Sequence, residues 1–228
     1  MRKLMENMGK TVNPFVAGVI VAVLFLGFTG FHTVKESLSL SPGDVLITEQ
    51  SKLSLSGTSN VNKFTCACNQ KFSPLTIGAT ASSNRSQIAF EHTVLKLTTN
   101  KLDCGQKIMN KDMYRTLKAE EYPYISIELK KAQFPVGVTI DDCAEWVELD
   151  AETVITIAGN ARRVPLKVKA RNLSAGRFQF RSAQALKMTD FGIEPPTAMM
   201  GAIKVRDSIT IQFDLIVAVS TGAEVSAS

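Results

Sequence analysis

From Ile209 to Val217 every odd-numbered residue is apolar (Ile209, Ile211, Phe213, Leu215, Val217), with Thr210, Gln212 and Asp214 between them. This is the two-residue period of a β-strand with one face turned to a core. The rhythm recurs along the chain. Val164, Leu166, Val168 and Ala170 alternate with Lys167, Lys169 and Arg171; Ile125, Ile127 and Leu129 with Ser126, Glu128 and Lys130; Leu53 and Leu55 with Ser54 and Ser56. About eight such segments follow one another through connections suited to antiparallel neighbours, which predicts a mainly β chain closed into a single up-and-down barrel. Eight strands enclose a space that side chains fill or that admits one slender ligand.

One period breaks the pattern. Between Gln106 and Lys118 the apolar residues Met109, Met113 and Leu117 are four apart, the stripe of one short amphipathic helix inserted midway. Tyr122-Pro123 ends it, because the residue before proline is pushed toward extended geometry. In the run from Ser86 to Thr99 the apolar phase changes between Phe90 and Leu95, which predicts a bulge near Glu91 to Thr93.

The uncharged segment Phe15–Phe31 follows a basic start and Pro14. It predicts an N-terminal hydrophobic helix ahead of the barrel. Its length is about 25 Å at helical rise, below the ~30 Å of a bilayer core yet long for a cleaved signal, so signal peptide and membrane anchor both stand. Either one exports the rest. The organisation expected is therefore 1–34 as signal or anchor, 35–43 as a tether ending in Ser-Pro-Gly, 44–219 as one barrel domain and 220–228 as a disordered tail. The location is periplasmic or cell-envelope, with membrane contact through the first segment if it is kept.

Export places Cys66, Cys68, Cys104 and Cys143 in an oxidising compartment, where an even number suggests two disulfides. Cys66 and Cys68 share one face of a strand and a bond between them would be strained, so each is expected to join Cys104 or Cys143. Which pairing holds is open. The net charge of +5 includes Arg2, Lys3 and Lys10 at the start, and the remaining cations are scattered, so nucleic acid is not an expected partner. Self-association is left open.

Three passages resemble the YceI-like, lipocalin-type family of exported proteins: MNKDMYRTLKAEEYPYISIEL (Met109 to Leu129), VITIAGNARRVPLKVKA (Val154 to Ala170) and AQALKMTDFGI (Ala183 to Ile193). The resemblance spans Leu46 to Val219. It implies a lipocalin-like barrel holding a polyisoprenoid, quinone-like or other long-chain lipid in an apolar tunnel, with no shared catalytic site and no cofactor. By position it implies wall roles for Phe90, Met109, Met113, Ile125, Phe178, Phe180, Met188 and Phe191. Burial alone holds such a ligand, at about 0.8 kcal/mol for each CH2 removed from water, so no sharp polar motif is required.

Sharper motifs do not assemble. Asp190-Phe191-Gly192 has no Gly-rich loop, strand lysine or H-R-D partner. His92, the one histidine beyond the N-terminal region, makes neither a metal site nor a triad by itself, and Asp141-Asp142 point apart if extended. Asn84 and Asn172 begin glycosylation triplets of a kind that occur by chance. The expectation is a non-catalytic lipid binder without a metal; the alternative is an envelope interaction module whose barrel is fully packed.

Overall fold

The alternating segments pair in chain order. The structure, a computed structural model, describes residues 38–82, 86–140, 143–174 and 176–220. Its strands are β1 (Leu38–Ile47), β2 (Lys52–Ser59), β3 (Lys63–Cys68), β4 (Leu75–Ala81), β5 (Gln87–Glu91), β6 (Val94–Thr98), β7 (Leu102–Asp103), β8 (Tyr124–Gln133), β9 (Val147–Ile157), β10 (Asn160–Ser174), β11 (Arg177–Lys187), β12 (Thr197–Ala198) and β13 (Ile203–Ser220), with helix α1 (Lys107–Thr116) between β7 and β8. These residues all fall in the unit Glu36–Ser228.

Several of these strands are halves of one bent strand. Along a single edge of β13, Ile47 lies opposite Val217 and Lys52 opposite Asp214, so β1 and β2 form one run kinked at Thr48–Ser51. In the same way β3 pairs with β2 and β4 with β1, while β5 and β6 share one edge of β8. With each bent run counted once, the order is β1/β2, β3/β4, β5/β6, β8, β9, β10, β11, β13. Each member is antiparallel to the next, and β13 closes on β1. This is the expected up-and-down ring of eight.

Local differences from expectation have local causes. The phase change after Phe90 is a break into two strands rather than a bulge within one. His92 has φ of 55°, and Leu129 N–H donates to Thr93 O, so the ladder on β8 resumes beyond the break. β1 starts inside the stretch read as a tether: Leu38–Leu40 pair with β4, and the register shifts between Leu40 and Gly43, around Pro42, which has no N–H to give the ladder.

One disulfide forms, Cys66–Cys104, with a Cα–Cα distance of 3.9 Å. Cys68 and Cys143 remain thiols, contrary to the expected second bond. Cys143 precedes β9 and its backbone carbonyl accepts from Asn172 N–H of β10, whereas Cys68 ends β3. Four strand steps of about 4.8 Å each separate β10 from β3 along the wall, beyond the reach of a disulfide.

The chain direction places α1 and the 3-10 turn Met188–Phe191 at one end, here the lower end. Gly105 N–H and Asn110 Nδ2 donate to Asp103 Oδ1, each at 2.8 Å, and Cys104 N–H donates to Asn110 Oδ1 at 2.7 Å, which ties the start of α1 to β7. Tyr114 O–H donates to Leu102 O at 2.7 Å. On the outer wall Trp146 lies beside the guanidinium groups of Arg171 and Arg181, with Cζ 4.6 and 4.7 Å from the ring centre. Beneath them Gln179, only 5% exposed, accepts from Arg171 and donates to Asp214.

The segment 1–34, residues 221–228 of the tail, Asp141-Asp142 and Asn84 lie outside the described residues. No described helix is long and apolar enough to cross a membrane.

Candidate functional site

Inward-facing residues are not packed equally along the barrel. A large cluster fills the lower and middle parts and reaches up one side to Phe134 and Ala170, with Ile155, Ile157, Leu102 and Phe191 each 1–2% exposed. Toward the upper end Ala81, Phe134 and Ala170 are buried on one side of the ring, and Val45, Ile47 and Val217 form a smaller buried group on the other. Around them Leu75, Ile77, Phe178, Phe180, Leu215 and Val219 are only partly covered. Large apolar side chains directed inward yet still reached by solvent leave apolar surface at this end of the ring, here the upper chamber, accessible from outside.

The wall beside this chamber is interrupted. Val45 pairs with Leu75 and Ser54 pairs with Ala67, but between those two pairs no described backbone pairing joins Leu46–Leu53 to Cys68–Pro74. The second lip is drawn the other way: Asn69 N–H donates to Lys101 O, Gln70 Nε2 donates to Lys96 O, and Gln70 Oε1 accepts from Thr98 N–H. A side chain thus does for β6 what a strand ladder would have done, at the expense of the ladder to β1. The resulting groove holds about 820 Å³ and is lined by Leu46, Ile47, Leu53, Cys68, Phe72 and Leu215, among others. Ile47 and Leu215 also belong to the upper cluster, so the slit borders the upper chamber.

The electrostatics of the slit are sparse. Glu49 on one lip and Lys71 on the other form an exposed ion pair at 2.6 Å, which holds the carboxyl below and the ammonium above their usual ranges. Burial pushes the Cys68 thiol up, which disfavours the reactive thiolate. Another depression, about 530 Å³, lies over the outer wall and is rimmed by charged side chains such as Lys169, Arg181 and Glu148. Among the described residues no group of three His, Cys, Asp or Glu is arranged to hold a metal ion.

The eight residues expected to line a tunnel divide between these regions. Ile125, Met188 and Phe191 are buried in the dense cluster, and Phe90 and Met113 pack against it; Met113 Sδ lies 3.5 Å from the Cys104 sulfur. Phe178 and Phe180 border the upper chamber. Met109 is half-buried and belongs to neither cluster. The sequence reading missed Phe72, Leu75 and Ile77. The signal for Leu75 and Ile77 was their alternation in LTIGA; Phe72 sits in an irregular stretch with no period to read.

Comparison with known proteins places this geometry. The profile of the YceI-like domain matches residues 45–217. Among solved structures, a polyisoprenoid-binding domain from Saccharophagus degradans, implicated in plant cell wall breakdown, aligns with a TM-score of 0.55 at 14% identity, covering 78% of this chain and 98% of that one. BcnA of Burkholderia cenocepacia aligns with a TM-score of 0.51 at 19% identity, over 73% of this chain and 96% of that one. At these identities the likeness is one of fold. No curated protein matches the chain.

Proposed function

The chain belongs to the YceI-like family, and on that premise we propose that it is a non-catalytic lipid-binding protein that holds a polyisoprenoid or quinone-like chain in the upper chamber. The observation that carries the reading is the apolar groove of about 820 Å³ at the slit, next to inward-facing side chains that are only partly covered. Phe178, Phe180 and Leu215 are inward-facing and only partly covered, and Leu215 also lines the groove. The neighbour from Saccharophagus degradans, described as polyisoprenoid-binding, supports it at the level of fold. An apolar chain gains stability there from burial alone, and Leu46, Ile47, Leu53, Phe72 and Leu215 give the slit a hydrocarbon surface.

The same reading places the protein outside the cytoplasm, in the periplasm or cell envelope. The uncharged run Phe15–Phe31 behind a basic start and the Cys66–Cys104 disulfide both support export.

The test is extraction of the purified protein with organic solvent, followed by mass spectrometry. A stoichiometric prenyl lipid, or uptake of one from mixed micelles, supports the proposal. Empty extracts together with no uptake contradict it and favour a packed barrel that acts through its outer surface.

A further inference from the structure

The slit between β1/β2 and β3/β4 connects the outside with the partly covered apolar residues of the upper chamber. We propose that the slit is the entry route, so that a long-chain lipid passes its hydrocarbon tail sideways through the wall, between lips bridged by Glu49 and Lys71. This inference rests on the lipid-binding reading and adds the route.

Three observations carry it. First, the slit borders the upper chamber: Ile47 and Leu215 line the slit and belong to the upper cluster, and Phe72 of the slit packs against both clusters. Second, no described backbone pairing joins the lips, so parting them breaks no ladder. The second lip is anchored instead to β6 and to Lys101 through Gln70 and Asn69, which fixes its position while the other lip is free of it. Third, the polar link described between the lips is one exposed ion pair, with Lys71 and Glu49 side chains 86% and 77% accessible, beside the apolar packing of Phe72. Such pairs open readily in water and in salt. Below the slit, the Cys66–Cys104 bond staples β3 to the stretch after β7, so widening is confined to the unpaired stretch.

The occupant is set by the lining. Leu46, Ile47, Leu53, Phe72 and Leu215 offer a hydrocarbon surface, and the only charges among the lining residues are Glu49, Lys71 and Lys52. Leu46 is 45% exposed on the outer lip, where an incoming chain meets it first.

The test bridges the lips. In a Cys68→Ser background of the full chain, whose own uptake sets the reference, Glu49→Cys and Lys71→Cys are introduced and oxidised, and the bridge is verified by mass. Uptake of a fluorophore-tagged prenyl alcohol from micelles is then followed in time. Bridging is expected to slow uptake about tenfold, with the rate restored on reduction, while the background protein taken through the same redox cycle is unchanged. Equal rates in bridged and unbridged protein overturn the lateral route and assign entry to the barrel end. Failure of every form, the background included, to take up the probe overturns the lipid-binding reading and the route with it. As a second readout, Cys68 of the otherwise native protein should be alkylated by a maleimide when empty and protected when loaded; equal labelling in both states counts against a tail lying in the slit.

Discussion

Phe64 lies over Gly57 across the β2–β3 pair so closely that a Cβ at position 57 would stand 2.5 Å from Cζ of the ring. The glycine is thus a space-holder for the aromatic ring, which covers a strand position otherwise lacking a side chain. Gly57→Ala is expected to destabilise the protein by about 1–3 kcal/mol through overpacking, and Gly57→Ala with Phe64→Leu to recover part of the loss. Chemical denaturation of the single and double variants measures this.

The Cys66–Cys104 bond closes a loop of 38 residues. Replacing both cysteines with alanine is expected to cost about 3–4 kcal/mol, from the larger entropy of the unfolded chain. Thiol titration in denaturant should count two reactive groups without reductant, Cys68 and Cys143, and four with it. In the folded protein Cys68 should react slowly at neutral pH and faster as pH rises, since burial lifts its thiol above the ordinary value of 9.0.

The chamber and the dense cluster respond differently to truncation. Phe191, 1% exposed, should cost about 3–5 kcal/mol of stability when changed to alanine. Phe178→Ala and Phe180→Ala remove side chains that are already partly solvated, so each should cost less stability yet weaken retention of a prenyl probe. Thermal unfolding and probe dissociation, measured on the same three variants, separate the two effects.

Asp207 holds the lower turn: Oδ1 accepts from Thr189 N–H at 2.9 Å and Oδ2 from Thr189 O–H at 2.8 Å, which keeps its carboxyl below the ordinary 3.8. Asp103 is lowered too, chiefly by Asn110 and then by Gly105 N–H. Because the folded state favours the ionised form, this stabilisation is complete above the unfolded-state pKa and is lost as pH falls through the folded-state value. The difference in urea midpoint between the native protein and Asp207→Ala should therefore be constant above about pH 5 and shrink below about pH 4. A difference that grows on acidification would contradict the assignment.

The barrel was legible because side-chain period and strand pairing are both local in an up-and-down ring. Once Ile209–Val217 and Val164–Ala170 are strands, their neighbours in sequence are their neighbours in space. α1 was legible from Met109, Met113 and Leu117, although it spans Lys107–Thr116 with Leu117 as its cap. The slit was not legible, because it depends on Gln70 reaching Lys96 and Thr98, a relation across 26 and 28 residues that no period encodes. The second disulfide failed for a similar reason: evenness of cysteine count says nothing of where the wall carries Cys68 and Cys143.

The account turns on the partly covered apolar side chains of the upper chamber, with the slit beside them, being the place that holds an apolar chain. The most direct measurement is photocrosslinking with a benzophenone-bearing prenyl probe, followed by peptide mapping. The account predicts adducts on the stretches around Leu75–Ile77, Phe178–Phe180 and Leu215–Val219. Adducts confined to the outer wall near Lys169 and Arg181, or none above the level of a denatured control, would contradict it.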